Sequence, residues 1–592
     1  MNKKEFDILR IIKQEKNVSQ RKIAEITGYS LGTVNASIKK MIEKRYIYTD
    51  MKLTELAKKY IKEESPKNAI ILAAGFGMRM VPINLERPKG LLEVNGETLI
   101  ERIIKQLRDV GIKDIYIVVG FMKEAYEYLI DEYKVKLIIN NEYVNKNNLH
   151  SLKYALNYLS NTYIIPCDIW CEENPFNKDE FYSWYMISKK NDKNSIVRLN
   201  SKEELVKEKE KGNANKMIGI SYLDKKLSEF VKTKVNTLCK NIKFDNAFWE
   251  EALFEKNKMK VFAKKVDDNK VCEINTYEQL RDLDDKSRNL ESEAVTVAAN
   301  AFNVKTTEIT NIKVLKKGMT NRSFLFTCKN KEYIMRIPGE GTDKLINREE
   351  EAEVYDKIKD ISVCDNIIYI NPKNGYKITE FFENARVCDA FNKEDVKKCM
   401  KRLKEFHEKK IKVGHEFDIF KQINFYEKLW DGQESIYKDY KGTKEKVFSL
   451  KEFIDKNVKE KYLTHIDAVP DNFLFIKDKN GKEDIRLIDW EYAGMQDQCV
   501  DIAMFAIYAL YSRKQLEKLI DYYYDGKCDR ITKIKIYCYV AACGLLWSNW
   551  CEYERNLGVD FGDYSIAQYR YAKEYYKIVK EELERKGDDK IV

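Results

Sequence analysis

The run NAIILAAGFGMR at residues 68–79 constrains this chain more than any other stretch. An apolar run closed by Gly75 and Gly77 fits a strand buried on both faces that leaves through a tight turn. From there to about residue 288, strand-like and helix-like patterns alternate. That alternation predicts an α/β domain on a parallel sheet. Gly75 and Gly77 let the backbone approach a ligand closely. Successive backbone N–H groups in such a turn cradle phosphate. Arg79, and Lys89 ten residues further in RPKGLLEVNGETLI (87–100), add the cations a triphosphate needs. The spacing is neither a dinucleotide fingerprint nor a Walker loop.

Gly-x-Gly-x-Arg followed by Pro-Lys resembles the sugar-phosphate nucleotidyltransferase superfamily, over nearly all of 67–288. The resemblance implies a doubly wound, Rossmann-like sheet, a nucleoside triphosphate and a phosphorylated acceptor that attacks the α-phosphorus. Mg²⁺ would bridge the phosphates. It makes Gly75, Gly77, Arg79 and Lys89 nucleotide-binding, with Arg79 and Lys89 also catalytic. Asp168 follows the strand-like TYII, where ligands gather in open α/β sheets. It is expected to hold Mg²⁺ with Glu273-Ile274-Asn275. Many members carry Asp at the last position, whereas Asn275 can ligate only through a neutral carbonyl oxygen. Glu250 and Glu251 are rivals for that role. Asn147 to Leu152 (NNLHSL) is similar to a stretch near the nucleotide in bacterial CTP:phosphocholine cytidylyltransferases. That places Asn148 and Ser151 at CTP, although helix capping explains the same residues. Trp170, Trp184 and Trp249 could face a trimethylammonium group or fill a core.

Further along, THIDAVPDNFLF (464–475) sets His465, Asp467 and Asn472 at phosphotransferase spacing, and Asp489 follows Asn472 by 17 residues. One Asp orients a hydroxyl, while an Asn and a second Asp hold Mg²⁺. Asp467 is therefore the expected catalytic base, Asn472 and Asp489 the metal ligands, and His465 a buttress of the loop. The motif IDWEYAG (488–494), followed by Asp501-Ile502-Ala503, resembles the choline/ethanolamine kinases across roughly 290–592. The resemblance implies a protein-kinase-like fold. It places Thr320 and Asn321 on the turn covering the ATP phosphates. Arg336 stands where protein kinases carry a phosphate-pairing lysine, with Glu351 as its partner and Glu349 and Glu350 as close rivals.

A quaternary ammonium has no N–H to donate, so aromatic faces and carboxylates must recognise it. Trp547 and Trp550 lie three apart on an apolar helix and can share a face. The resemblance makes them, with Tyr492, the choline pocket. Ile566 stands where eukaryotic relatives put an aromatic, and Tyr564 or Tyr569 can substitute. A core tryptophan stripe is the plainer reading of the pair.

The charge of the chain is not evenly spread. Its net is +10, and residues 1–64 hold 15 Lys+Arg against 9 Asp+Glu, a net of +6. Ser19 and Ser30 read as caps of two helices separated by a Gly28 turn. SQRKIAEITGYSLGTVN resembles the winged-helix domains of bacterial regulators, with the wing shortened in YIYTDMKLTELAKKYI. DNA is the implied partner, through outward Thr33, Asn35, Ser37, Lys39 and Lys40.

The expected architecture is therefore multidomain α/β and α+β. A winged helix-turn-helix occupies 1–64, a nucleotidyltransferase 67–288 and a choline/ethanolamine kinase-like domain 290–592. The N-terminal sequence lacks a secretory pattern. The longest late uncharged run, Ile536 to Cys551, is short for a membrane span. The 13 cysteines form no C-x-x-C pair and read as reduced thiols of a cytoplasm.

Joined, the resemblances imply a Mg²⁺-dependent chain that makes phosphocholine from choline and ATP, then CDP-choline from phosphocholine and CTP. Such a product feeds phosphorylcholine decoration of a cell surface. The sequence leaves open ethanolamine as acceptor, UTP as donor, an aminoglycoside as kinase substrate, and a ligand-sensing regulator without catalysis. It also leaves open the oligomeric state.

Overall fold

The computed structural model describes residues 1–592 except 16, 84–85, 194, 202, 209–213, 316–320, 340–341, 343–344, 478–480, 557–560, 586–592 and the Met78 side chain. The chain divides into two compact units, Met1–Val295 and Thr296–Val592.

In the first unit, α1 (Lys3–Gln14), α2 (Gln20–Thr27), α3 (Leu31–Glu43) and α4 (Glu55–Glu64) form the winged helix. Ser19 and Ser30 cap α2 and α3 as their positions predict. Gly28 ends α2 at φ +70°, a left-handed turn that glycine adopts without strain. The wing shrinks to one antiparallel bridge, Ile47 to Leu53. Val34, Ile38 and Met41 of α3 enter the core, and Asn35, Lys39 and Lys40 face out. Ser37 does not face out: it is buried on the same side as Val34 and Ile38, because 3.6 residues per turn bring it round to the core.

The winged helix is packed onto the domain that follows it. Phe6 of α1 stacks on Phe181 and meets Tyr182, while Tyr222 donates its hydroxyl to the Glu64 carbonyl at the end of α4.

That domain is built on a ten-stranded sheet. Its strand β1 (Asn68–Ala73) runs parallel to Asp114–Val119 on one side and to Thr162–Pro166 on the other. Lys136–Ile139 adds a fourth parallel strand beyond Asp114–Val119. Past Thr162–Pro166 the sheet turns mixed, through Asn215–Leu223, Trp184–Asn191 and Lys258–Val266. Ile71 and Ala73 pack into a core on one face of the sheet, Ile70 and Leu72 into a core on the other. The continuous apolar run follows from that two-sided burial.

The second unit opens inside the helix Glu293–Phe302 and continues as a five-stranded antiparallel sheet, with Asn321–Cys328 and Lys331–Pro338 paired along their length. The helix Arg348–Ile358 follows. Beyond it, a helical half packs around Arg530–Asn556, whose residues Ile536 to Cys551 are buried throughout. The uncharged run is thus a core helix, and no helix among the described residues is long and apolar enough to cross a membrane. Two short sheets carry the loops between these parts: Phe473–Lys477 with Glu483–Leu487, and Tyr462–Thr464 with Gly494–Gln496.

Candidate functional site

In the first unit the predicted residues converge where the parallel strands end. Gly77 adopts φ +62° just past β1 and lies against the Lys89 side chain. Lys89 is held down by its neighbour Gly90. A Cβ on Gly90 would stand 3.0 Å from the Tyr126 hydroxyl and 3.2 Å from the Cys167 Cβ, so only glycine lets this turn lie so close to the Asp168 strand. The Lys89 ammonium bonds Asp168 Oδ2, and reaches Asn275 Oδ1 at 2.8 Å. Gly75 and Arg79, in the turn that follows β1, are exposed.

Asp168 Oδ1 is buried with no hydrogen-bond partner. Burial, and then the Asp168 charge, raise the Glu273 carboxyl above its ordinary pKa. Burial pushes the Glu250 carboxyl up to about 7, and the charges of Glu273 and Asp168 add to the rise. The Tyr185 hydroxyl donates to Glu250 at 2.9 Å. The charges of Asp168 and Glu273 thus act on the neighbouring carboxyls, and Lys89 bonds one of them, Asp168. Glu251 instead pairs with Lys207 at 2.8 Å.

Asn148 and Ser151 sit in the wall of this domain. Asn147 caps the helix Asn148–Tyr154, Asn148 Oδ1 accepts the Trp249 backbone N–H at 2.7 Å, and Ser151 accepts from Asn140 at 3.1 Å. The structure therefore gives these side chains local partners. Of the three tryptophans, Trp170 lies under Arg102 and Trp184 under Lys264, each 4.0 Å from the ring centre, and Trp249 is buried.

In the second unit one cavity of about 830 Å³ gathers Asn321, Arg336, Asp467, Asn472, Asp489 and Tyr492 with Trp547 and Trp550. Thr320 lies outside the described residues. Asn472 donates to the Asp467 carbonyl at 2.9 Å and to its carboxylate at 3.1 Å. Burial, then the Glu491 charge, push Asp467 up to about 7 and Asp489 up to about 8. Asp489 stands at φ +68°, a left-handed conformation that costs a non-glycine residue about 1–3 kcal/mol.

His465 acts as the buttress the sequence predicts. Its Nε2 meets the Ile488 carbonyl at 2.9 Å, and its ring lies against Trp490. Asp501 fixes the same loop, accepting the backbone N–H groups of His465 and Ile466 at 3.0 and 2.8 Å. Its motif was legible; this anchoring was not.

Arg336 forms a two-pronged pair with Glu351, and Glu349 and Glu350 are exposed or half-exposed at the helix start. Asn321 turns its amide onto Glu491 at 2.9 Å. Lys377, absent from the sequence reading, is buried opposite Arg336 in the strand register. Among the described residues its nearest carboxylates are Glu351 at 3.7 Å and Asp365 at 3.9 Å, and it donates to the Tyr355 hydroxyl at 2.6 Å.

Tyr492, Trp547 and Trp550 meet nearly at right angles: Tyr492 to Trp547 at 5.9 Å and 87°, Trp547 to Trp550 at 5.4 Å and 78°. Tyr564 also lines the cavity. Tyr569 does not: its hydroxyl bonds Asp439 and Thr443, and its ring stacks on Tyr437. Ile566 is exposed.

A strand-end phosphate turn in one unit and a phosphotransferase loop in the other define a nucleotidyltransferase joined to a kinase-fold domain. Comparison with known proteins agrees. Residues 69–176 match the MobA-like NTP transferase domain, 312–572 the choline/ethanolamine kinase family and 1–48 a winged helix-turn-helix DNA-binding family. A choline-phosphate cytidylyltransferase of Streptococcus pneumoniae is 30% identical over 227 residues, covering 37% of this chain and 98% of that protein. A 2-aminoethylphosphonate cytidylyltransferase of Lancefieldella rimae is 31% identical, over 31% of this chain and 78% of that protein. A solved choline kinase, LicA from Streptococcus pneumoniae, is 28% identical with a TM-score of 0.42, over 48% of this chain and all of that one. The chain belongs to the choline-phosphate cytidylyltransferase family through its first unit, and carries a choline/ethanolamine kinase domain in its second.

Proposed function

We propose that this chain makes CDP-choline in two steps: ATP-dependent phosphorylation of choline, then transfer of a cytidylyl group from CTP to phosphocholine with release of pyrophosphate. The observation that carries the reading is the 830 Å³ cavity, where Asp467 shares one space with Tyr492, Trp547 and Trp550. Three aromatic faces at right angles, with Asp467 and Glu491 beside them, suit a trimethylammonium group with an attached hydroxyl.

In the kinase domain, Asp467 orients the choline hydroxyl and takes its proton. Arg336, positioned by Glu351, pairs with ATP phosphate together with the turn containing Asn321 and Thr320. Asn472 and Asp489 would hold Mg²⁺. In the transferase domain, Gly75, Gly77, Arg79 and Lys89 receive the triphosphate, and Lys89 and Arg79 neutralise charge that develops as pyrophosphate leaves. Asp168, Glu273 and Asn275 would hold Mg²⁺, and Asn148 and Ser151 shape the CTP pocket.

The residues fit a divalent cation in both places. Carboxyls raised by burial and then by one another's charge, and an orphaned Asp168 oxygen, are the environment a hard cation relieves. Bound Mg²⁺ supplies charge neutralisation across the phosphates. The boundaries 1–64, 67–288 and 290–592 are the divisions this assignment uses.

Mass analysis of the products tests the assignment. With choline, ATP, CTP and Mg²⁺ the chain yields ADP, pyrophosphate and CDP-choline. A preference for ethanolamine or 2-aminoethylphosphonate would replace the choline reading.

The outward face of α3 supports DNA as a partner of residues 1–64. Asn35, Lys39 and Lys40 are exposed there, while α1 is taken up by the transferase domain. The expected signature is a promoter shift that weakens steeply with salt and is lost in Lys39→Ala/Lys40→Ala.

A further inference from the structure

A second cavity, of about 280 Å³, lies at the seam between the winged helix and the transferase sheet. Asp7, Arg10 and Tyr29 line one side, and Glu180, Trp184 and Lys264 the other. The carboxylates around it are occupied. Asp7 accepts the hydroxyls of Tyr29 and Tyr182, at 2.6 and 2.9 Å. Glu180 accepts from Tyr163 at 3.0 Å, Asn177 at 2.9 Å and Arg10 at 3.4 Å. Glu203 takes the Lys3 ammonium at 3.0 Å.

The donors are not all occupied. Trp184 is 2% exposed, and its indole N–H has no acceptor among the described residues. Arg10 Nε is also buried without one. Lys264 gives one N–H to the Pro175 carbonyl at 2.7 Å and stands 4.0 Å from Glu180, its nearest described carboxylate. A buried N–H without an acceptor costs about 1–3 kcal/mol, and folded proteins seldom leave two together. Spare donors facing carboxylates that are already bonded call for an acceptor-rich anion.

We propose that this seam is a second binding site, for a small phosphate-bearing anion held by Arg10, Trp184 and Lys264. Its volume falls just below the roughly 300–1,000 Å³ common for drug-sized ligands. That favours inorganic phosphate, pyrophosphate or a phosphorylated amino alcohol over a whole dinucleotide-like product. Such a ligand touches α1 and the sheet together, so its binding ties the winged helix to the transferase domain. The site stands on these donors and does not depend on the reaction assigned to Lys89 and Asp168.

Hydrogen exchange followed by mass spectrometry on the full chain tests it, with inorganic phosphate, pyrophosphate and phosphocholine added separately. A ligand present at about ten times its Kd slows exchange through local opening by about elevenfold. That slowing is expected in peptides covering 6–13 and 180–185, and the probe that produces it identifies the occupant. Lys264→Met keeps the apolar stem over Trp184 and removes the charge; Arg10→Gln removes the other cation. Both are expected to abolish the seam protection while peptides around Lys89 still respond to pyrophosphate. Seam peptides that ignore all three anions at concentrations saturating the Lys89 region overturn the proposal. So does protection that persists undiminished in both variants.

Discussion

Arg336 and Glu351 face each other as a fork, with Nη2 2.8 Å from Oε2 and Nη1 bonded to Oε1. Their side chains are 7% and 0% exposed. Burial alone would lower the Arg336 pKa, but the Glu351 charge raises it; Glu351 falls to about 2 despite its own burial, because Arg336, Lys377 and Arg348 surround it. Such a pair holds only while both members are present. Arg336→Met is expected to destabilise the kinase unit by about 3–5 kcal/mol in urea unfolding. Arg336→Lys is expected to keep much of that stability but lose the two-pronged geometry, with choline phosphorylation down by about a hundredfold and cytidylyl transfer unchanged. Equal loss of both activities in folded protein would remove Arg336 from the kinase assignment.

The two chemistries separate by mutation. Asp467→Asn is expected to cut choline phosphorylation by about 10²–10⁴ and to leave CTP plus phosphocholine turnover intact. Lys89→Ala leaves Asp168 and Asn275 without their shared cation. It is expected to lower cytidylyl transfer by about 10²–10³, with the kinase step unchanged. Measuring each half-reaction alone decides the matter.

How much of this was legible in sequence depends on how local each relationship is. Asp467, Asn472 and Asp489 are set by one loop and one short hairpin, so spacing alone placed them together. The left-handed backbone at Asp489 was not legible, since nothing in an Asp side chain announces it. Lys377 escaped because its neighbour Arg336 lies 41 residues earlier, and only the strand register brings them side by side. The winged helix read clearly from its caps and glycine. Its docking through Phe6 onto Phe181 joins positions far apart in the chain, which no local pattern encodes. Asn148 and Ser151 show the converse: a motif marked them, and the structure gives both a local bonding role.

Lys377 supplies a test of what the sequence missed. It is a positioning residue for the Arg336–Glu351 pair. Lys377→Met is expected to raise KM for ATP several-fold, with a smaller effect on KM for choline, and Lys377→Arg to restore part of the loss. An unchanged ATP KM would make Lys377 a stability element alone.

His465 predicts an acid limb of stability. Burial holds its pKa down at about 4, from an ordinary 6.5. The folded chain therefore keeps it neutral while the unfolded chain binds a proton below pH 6.5. Its contribution is full above pH 6.5 and is lost as pH falls toward 4, by about 3 kcal/mol in all. Urea unfolding of the wild type against His465→Gln between pH 7 and pH 4 measures it. The variant is expected to be less stable at pH 7 and to lose the part of the slope that belongs to this imidazole. Parallel curves would contradict the assignment.

The aromatic corner predicts selectivity. Trp550→Leu is expected to weaken choline by about 1–2 kcal/mol, roughly five- to thirtyfold in kcat/KM, and ethanolamine by less. Comparable losses on both substrates would return Trp550 to the core.

The central claim is that one chain carries choline through to CDP-choline. Incubating it with isotopically labelled choline, ATP, CTP and Mg²⁺, and weighing the products, tests that directly. The account predicts labelled phosphocholine that passes into labelled CDP-choline, with ADP and pyrophosphate formed and both steps lost on chelation of the metal. Label that remains in choline, or stops at phosphocholine while CTP is consumed on another acceptor, would contradict it.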